Sequence, residues 1–237
     1  MQLSSSKEWQ QLAGDIHVWH ATLDREESAL AQLADVLSPD EKARADRFRF
    51  AKDRNHFTVA RGMLRELLGA YLQQAPAGLE FSYGQHGKPA LAGQNASTGL
   101  CFNLSHSFGM AVFAFARGRN LGIDVERVEP ESTGEDIARR FFSLREVSDL
   151  RSLPPAARPE AFFRCWTRKE AYIKALGTGL HTPLDGFSVS LLPGQPAQFL
   201  GGVDPCWHMS AFNPAEGYAA AVVYDGAPCS VNFMGSR

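Results

Sequence analysis

Residues 121–128, with the sequence LGIDVERV, alternate apolar and acidic side chains at their centre. Successive side chains of a β-strand point to opposite faces, so this pattern predicts a strand with Ile123 and Val125 toward the core. Asp124 and Glu126 then project together from the other face. One interpretation is an exposed strand with two solvated acids. The other is a site for a cation such as Mg²⁺, because two carboxylates about 4 Å apart repel each other by about 4 kcal/mol at an effective dielectric constant near 20.

Short segments rich in branched and aromatic residues flank this strand, bounded by Gly, Asn or Ser as strands are. They cover Leu79–Tyr83, Leu100–Leu104, Met110–Ala116, Phe187–Leu192, Trp207–Phe212 and Tyr218–Tyr224. Helical spacing of apolar residues covers Glu26–Leu37, Asp53–Gln74 and Pro159–Leu176. Ser38 and Ser143 each precede a Glu by three residues, a capping-box pattern that begins a helix. The order of elements predicts an α+β fold of two similar halves, residues 1–118 and 119–237, rather than a βαβ repeat.

The overall charge excludes a protein that binds nucleic acid through its net charge. The chain has 237 residues, a formal charge of −2 and a pI near 6.4. No apolar run approaches the roughly 20 residues that span a membrane, and the N-terminal segment has no hydrophobic signal core. The four cysteines are widely separated and fit neither a zinc site nor a disulfide framework. We therefore expect a cytoplasmic protein with no membrane or nucleic-acid partner.

One segment departs from this balance. Between Asp40 and Arg65, eight basic residues face four acidic ones, a local net charge of +4. The basic residues are Lys42, Arg44, Arg47, Arg49, Lys52, Arg54, Arg61 and Arg65. The run is either the solvated face of a helix or a site for a multiply charged anion.

The segment WTRKEAYIKAL, residues 166–176, places Trp166, Glu170 and Lys174 on one helical face at intervals of four residues. An ordinary Glu–Lys pair on a helix is one interpretation, and it contributes only about 0.3–0.5 kcal/mol. The other interpretation is a metal-binding carboxylate one turn from a cation that contacts a phosphate.

Two further segments carry polar residues in turns. Residues 101–107, CFNLSHS, indicate a strand that ends near Ser105 and His106. Covalent catalysis by Ser105 is disfavoured, because neighbouring side chains on a strand point apart and no Gly-x-Ser-x-Gly elbow is present. A contact with an anion is more plausible. Residues 84–89, GQHGKP, form a turn with one lysine, Lys88, and lack the Walker A pattern.

The ordered set GKPAL, FNLSHS, GIDVE, FFSLRE and WTRKEAYIKALGTGL resembles the Sfp-type 4′-phosphopantetheinyl transferases, specifically from Gly87 to about Val189. The W-x-x-KEA form looks like the subgroup associated with secondary-metabolite or glycolipid synthases. The resemblance implies two pseudo-twofold-related α+β halves with coenzyme A in the cleft between them. It also implies transfer of the phosphopantetheine arm of coenzyme A to a serine of an apo carrier protein, with release of adenosine 3′,5′-bisphosphate.

The same resemblance implies roles for the acids and for Lys174. Asp124, Glu126 and Glu170 would hold Mg²⁺ against the pyrophosphate of coenzyme A. Lys174 would contact the pyrophosphate and protonate the leaving phosphate. Glu170, directly or through a metal-bound water, would accept the proton of the carrier serine, and Glu146 is a second position proposed for this role.

Nucleotide contacts follow from the resemblance as well. Asn103, Ser105 and His106 lie in the segment that would meet the phosphates near the 3′ end, and Gly87, Lys88 and Pro89 would hold the nucleotide. Arg61 matches an arginine that some members use for the 3′-phosphate, with Arg44 and Arg47 as further candidates. His56 and Phe57 stand where some members carry Arg and Thr, so the 3′-phosphate contacts differ from those members.

Two other functions use some of the same residues. A magnesium-dependent phosphohydrolase acting on a nucleotide could use the three acids. A non-catalytic module that binds coenzyme A would need only the basic run and the Lys88 turn. The family's internally duplicated chain implies that a monomer is sufficient, and the sequence leaves the carrier protein unidentified.

Overall fold

The computed structural model describes residue 12 and residues 14–131 and 134–236, so most of the N-terminal segment, including the part that lacks a signal core, lies outside the described residues. The helices are α1 (Glu27–Asp35), α2 (Pro39–Ala45), α3 (Ala51–Leu72), α4 (Glu135–Phe141), α5 (Leu144–Ser152) and α6 (Arg158–Leu176). The strands are β1 (Ile16–Thr22), β2 (Phe81–Tyr83), β3 (Pro89–Leu91), β4 (Leu100–Ser107), β5 (Met110–Arg117), β6 (Leu121–Arg127), β7 (Ser188–Val189), β8 (Phe199–Gly201), β9 (Trp207–Phe212), β10 (Tyr218–Asp225) and β11 (Val231–Ser236). The α+β class is confirmed. No helix in these ranges is both long and apolar enough to cross a membrane.

The first half combines the long helix α3 with a four-stranded sheet in the order β11-β1-β5-β4. Strands β4 and β5 form an antiparallel hairpin, and β1 pairs antiparallel with β5. The apolar face of α3, including Val59, Leu64 and Leu68, is buried against Phe113 and Phe115 of β5 in one core. The helical spacing predicted for this segment therefore identifies the face that the sheet covers.

The second half also packs a long helix on a sheet, and here all the strands are antiparallel. Helix α6 packs along the sheet β6-β10-β9, and its residues Ala171 and Ile173 are buried in a core with Ala221 and Val223 of β10. As predicted, α6 ends at Leu176. The next residue, Gly177, has a positive φ of 71°, a conformation that glycine adopts readily at a helix end.

Side chains of β4 join the two halves. The amide of Ile123 donates to Asn103 Oδ1 at 2.9 Å, and Ser105 Oγ donates to Asp124 Oδ1 at 2.8 Å. Ser107 Oγ donates to the carboxylate of Glu126 at 2.7 Å. Because alternate residues of a strand share a face, one face of β4 contacts both acidic side chains of β6.

Strand β11 crosses the predicted division between the halves. Val231 pairs with Ile16 in a parallel ladder, so the C-terminal strand completes the sheet of the first half. The boundary at residues 118 and 119 stays a prediction. A division at that point assigns β11 to the second half, although β11 pairs with β1 in the sheet of the first half.

Gly122 sets how closely α6 approaches β6. A Cβ atom at this position would lie 2.2 Å from the carbonyl oxygen of Ala171 and 2.3 Å from the amide nitrogen of Ala175. We therefore expect Gly122→Ala to push α6 away from β6 and to lower the free energy of unfolding in urea by about 1–3 kcal/mol.

A matched control for this substitution is Gly78→Ala, because a Cβ atom at Gly78 would meet nothing within 4 Å. We expect Gly78→Ala to leave the unfolding midpoint nearly unchanged. Equal free energies of unfolding for the two variants would contradict the close approach of α6 to β6.

Candidate active site

Asp124 is a buried carboxylate at the centre of the site. It is only 2% exposed, and its Oδ1 accepts hydrogen bonds from Ser105 Oγ at 2.8 Å and from Lys174 Nζ at 2.6 Å. Its other oxygen, Oδ2, is buried without a hydrogen-bond partner among the described residues. A buried, unpartnered carboxylate oxygen is costly, so this atom is an available ligand for a cation.

Glu126 and Glu170 share the electrostatic environment of Asp124. Burial raises the pKa of Glu126, and the negative charge of Asp124 raises it further. Burial also raises the pKa of Glu170 to about 7, with additional repulsion from Asp124 and Glu126 that Lys174 partly offsets. The three acids predicted from β6 and α6 are therefore close enough to repel one another.

The donor set fits a hard divalent cation in kind, since Mg²⁺ takes oxygen ligands and is commonly held by carboxylates. Within the described ranges, however, no three His, Cys, Asp or Glu side chains already form a group that could hold a metal. One carboxylate oxygen of Asp124 is occupied by Lys174 instead. The assignment of a metal to Asp124, Glu126 and Glu170 stays a prediction.

Lys174 contacts β6 and β4 rather than its neighbour on the helix. Its Nζ forms an ion pair with Asp124 and donates to Ser105 Oγ at 2.8 Å. The described ion pair of Lys174 is with Asp124 and not with Glu170, although the charge of Lys174 still lowers the pKa of Glu170. The tertiary contact is favoured because Asp124 is desolvated and needs a counter-charge.

Many of the predicted nucleotide-binding residues line one cavity of about 420 Å³. Those residues are Arg44, Arg61, Gly87, Pro89, Ser105, His106 and Lys174. A neighbouring cavity of about 210 Å³ shares Gly87, Pro89 and Lys174 and adds Lys88 and Asn103. Residues from four separate segments thus meet beside the carboxylates. Arg47 is not part of either wall, and its role stays a prediction.

His106 lies in this cavity with part of its ring accessible. The surrounding protein desolvates the ring and lowers the pKa of His106, and the nearby cations Lys174 and Arg44 lower it further. At neutral pH the imidazole is therefore held toward its uncharged form, in which one ring nitrogen donates and the other accepts a hydrogen bond.

Arg61 stands in the cavity wall but already has partners. It is 6% exposed, its Nε pairs with Glu41, and its guanidinium also donates to the hydroxyl of Tyr83. Arg65 Nε donates to the second oxygen of the Glu41 carboxylate at 2.5 Å. Glu41 therefore offsets part of the positive charge that the basic run brings to the cavity.

Lys88 connects its turn to the second half. Its Nζ donates to the backbone carbonyls of Leu121 at 2.9 Å and Ala175 at 3.0 Å. Burial lowers the pKa of Lys88 to about 8. These contacts fix the Lys88 turn against β6 and α6, so any nucleotide contact by this side chain competes with them.

Glu146 occupies a different environment from the other acids. It is fully buried, pairs with Lys169 Nζ at 2.8 Å, and accepts hydrogen bonds from the amides of Ser143 and Val189. All these partners hold helix α5 against α6 and β7. This placement supports a structural role and disfavours Glu146 as the acceptor of a proton from a carrier serine.

Aromatic side chains in the cavity wall were not identified from the sequence. Phe48, Phe57 and Tyr83 line the same cavity as Arg44, whose guanidinium lies 5.3 Å from the ring centre of Phe57. The available signal was the alternation of Phe with Arg in residues 47–50, RFRF, within the basic run. Such rings can pack against a nucleotide base or a guanidinium.

Comparisons with known proteins cover both halves. Residues 18–117 match a family model described as 4′-phosphopantetheinyl transferase, N-terminal, and residues 120–223 match the 4′-phosphopantetheinyl transferase superfamily. The chain is 43% identical over 215 residues to the 4′-phosphopantetheinyl transferase HetI of a Nostoc species, covering 91% of this chain and 90% of HetI. It is 31% identical over 188 residues to the transferase Sfp of Bacillus subtilis, covering 78% of this chain and 81% of Sfp.

A solved structure of Thermotoga maritima holo-[acyl-carrier-protein] synthase overlaps the chain in part. Its TM-score is 0.37 with 25% sequence identity, over 46% of this chain and 64% of that protein. The assignment depends instead on the two family models and on relatives that match most of the chain. This chain therefore belongs to the 4′-phosphopantetheinyl transferase family.

Proposed function

We propose that this transferase moves the 4′-phosphopantetheine arm of coenzyme A to a serine of an apo carrier protein in a magnesium-dependent reaction that releases adenosine 3′,5′-bisphosphate. One observation carries the proposal. The repelling carboxylates Asp124, Glu126 and Glu170, with Lys174 beside them, adjoin a basic and aromatic cavity that contains Arg44 and His106. Phosphoryl transfer requires this combination of charge neutralisation and fixed orientation.

Asp124, Glu126 and Glu170 would hold the metal ion. Mg²⁺ supplies neutralisation of the pyrophosphate charge as the bond to phosphorus breaks. The unpartnered Oδ2 of Asp124 and the raised pKa values of Glu126 and Glu170 support this donor set. A bound cation would give Oδ2 a partner and would offset the repulsion among the carboxylates.

Lys174 is the proposed residue that acts on the leaving group. Its side chain is partly exposed in the cavity wall and is held by Asp124 and Ser105, which supports a contact between Lys174 and a bound phosphate. There it would neutralise the leaving phosphate and donate a proton to it. His106 and Arg44 in the adjoining wall would contact the phosphates of the nucleotide.

Glu170 is the proposed proton acceptor for the carrier serine. The alternative acceptor, Glu146, is enclosed by Lys169 and two backbone amides with no exposed surface. A substrate hydroxyl has to come within hydrogen-bond distance of its base, so the enclosed position of Glu146 supports Glu170 as the acceptor.

The cellular context is also a proposal. All four cysteines are free thiols, which supports a reducing compartment such as the cytoplasm. We propose a monomer whose macromolecular partners are carrier proteins or carrier domains, with neither nucleic acid nor membrane as partner. The W-x-x-KEA segment supports carriers of secondary-metabolite synthases, with fatty-acid carriers as a second class.

The direct test is incubation with several apo carriers, coenzyme A and Mg²⁺, followed by intact-mass measurement. We expect the carrier to gain the mass of one phosphopantetheine group only when all three components are present. Free phosphopantetheine formed without any carrier would indicate a phosphohydrolase instead. Binding of coenzyme A with no product in either assay would indicate a non-catalytic module.

Arg44→Ala tests the nucleotide side of the cavity. Arg44 is exposed in the wall and forms none of the described ion pairs, so its charge is available to a phosphate. We expect the loss of Arg44 to lower the affinity for coenzyme A by about tenfold, the effect of one charge-assisted hydrogen bond. The affinity for 3′-dephospho-coenzyme A should fall less. The measurement is isothermal titration calorimetry with both ligands.

Arg49→Ala is the matched control for Arg44→Ala. Arg49 belongs to the same basic run, but its guanidinium lies over Phe50 and it does not line the cavity. We expect the Arg49→Ala variant to bind coenzyme A with the same affinity as the unmodified protein. If Arg44→Ala lowered the affinity for coenzyme A and for 3′-dephospho-coenzyme A by the same factor, a contact between Arg44 and the 3′-phosphate would be contradicted.

A further inference from the structure

Arg168, on α6 two residues before Glu170, is a buried charge outside the proposed reaction. It is 4% exposed, and its Nη1 donates to the backbone oxygen of Ser190 and to Ser190 Oγ at 2.9 Å. Its Nε is buried and has no hydrogen-bond partner among the described residues. None of the described ion pairs includes Arg168.

A buried guanidinium without a counter-ion is energetically unfavourable, and buried charges in proteins are normally paired. The nearest cation along the same helical face, Arg164, differs in this respect. Its Nη2 pairs with Glu160 at 2.6 Å, and its Nη1 donates to the backbone oxygen of Leu191 at 2.8 Å. Arg164 therefore has a partner acid within the protein, whereas Arg168 lacks one within the described ranges.

Arg168 lines a cavity of about 560 Å³ between the N-terminal turns of α6 and the turn that joins β9 to β10. Its apolar wall is formed by Val128, Pro130, Pro159, Phe212 and Tyr218, with smaller alanines between them. The volume lies within the range of small-molecule sites. Polar side chains complete the wall: Glu160, Arg164, Thr167, Arg168, Asn213 and Glu216.

This cavity is separate from the proposed coenzyme A site. Its wall shares no residue with the two cavities that contain Lys174. Two acids, Glu160 and Glu216, also belong to the wall. Glu160 is the partner of Arg164, and Glu216 is exposed on the β9–β10 turn.

We propose that this cavity binds a small organic monocarboxylate, with the carboxylate on Arg168 and the hydrocarbon body against Val128, Pro159 and Phe212. The planar donors of a guanidinium match the two oxygens of a carboxylate. Of the two cations in the wall, Arg164 is paired with Glu160, whereas Arg168 is buried and Glu216 is exposed, so one carboxylate at Arg168 would balance the buried charge. A phosphate dianion would add excess negative charge close to Glu160, so the carboxylate is the better fit.

The test uses hexanoate as the probe and hexanol, which has the same chain length without the charge, as its comparison. Binding to the full chain is measured by ligand-detected NMR titration at constant ionic strength. We expect saturable binding of hexanoate and at least about tenfold weaker binding of hexanol, because a charge-assisted hydrogen bond is lost. Arg168→Met should lower the affinity for hexanoate by a similar factor. Arg151→Met, which removes an exposed charge on α5 outside this wall, should not.

A second variant protects the test against misfolding of Arg168→Met. Ala211 lines the same cavity and is exposed on β9, so Ala211→Phe should fill part of the volume and weaken hexanoate while Arg168 stays intact. Circular dichroism checks that each variant is folded. If Arg168→Met is misfolded, the hexanoate affinity of Ala211→Phe tests the proposal. Three results would overturn the proposal. The unmodified protein could show no saturable binding of hexanoate, it could bind hexanol with equal affinity, or the folded variants could keep full affinity for hexanoate.

Discussion

Glu170→Gln is expected to lower the rate of phosphopantetheine transfer by on the order of a thousandfold. Glutamine keeps the size of the side chain but removes both the proposed negative ligand of the metal and the proposed acceptor of the serine proton. The measurement is carrier modification at saturating Mg²⁺ and coenzyme A, followed by intact mass over time.

Stability separates this catalytic effect from misfolding. Glu170 is repelled by Asp124 and Glu126 in the metal-free protein, so its neutralisation should leave the free energy of unfolding unchanged or higher. Glu66→Gln, at an exposed position of α3, is the control and should transfer at the normal rate. Near-normal turnover by folded Glu170→Gln would contradict both proposed roles of this carboxylate.

Lys169→Met should destabilise the protein more than Gly122→Ala does. Lys169 and Glu146 form an ion pair with no exposed surface on either side chain. Lys169 also donates to the backbone oxygens of Leu184 at 2.6 Å and Phe187 at 2.7 Å. Its loss leaves the Glu146 carboxylate buried without a cation, which should lower the free energy of unfolding by about 3–5 kcal/mol in urea denaturation.

The double variant Lys169→Met with Glu146→Gln tests the cause of that loss. Glutamine removes the unpaired charge and keeps an oxygen to accept from the amide of Val189. We expect the double variant to be more stable than Lys169→Met alone by at least about 1 kcal/mol. A cost below about 1 kcal/mol for the single variant, or no recovery in the double variant, would contradict this account.

Local signals in the sequence predicted the regular elements that depend on local interactions. The capping boxes at Ser38 and Ser143 are both present, and residues 123 and 125 of β6 are fully buried as the alternation predicts. The short strands β3 and β8 have too few residues to produce a period, and β11 depends on pairing with β1 far along the chain. Such pairing leaves no local pattern.

The strand predicted over Phe187–Leu192 is reduced to Ser188–Val189 for a physical reason. The amide of Val189 donates to Glu146, and the backbone oxygen of Ser190 accepts from Arg168. Side chains from α5 and α6 therefore occupy backbone groups that a neighbouring strand would otherwise satisfy. Propensity alone contains no information about these distant partners.

The same limit applies to the candidate site. Periodicity within β6 and within α6 identified the three acids separately, but the partner of Lys174 is on another element. Likewise, Lys88 is held by carbonyls of Leu121 and Ala175, and Arg61 by Glu41. These contacts depend on the packing of the halves, which residue spacing within one segment does not encode.

The parallel pairing of β11 with β1 has a consequence for how the chain folds during synthesis. Ile16 meets Val231 only after the whole intervening chain has left the ribosome. Until then, one edge of β1 has unpaired amides and carbonyls, while β5 can already protect the other edge. Closing so long a loop is slow, so the nascent first half remains open to incorrect strand pairing until the second half is complete.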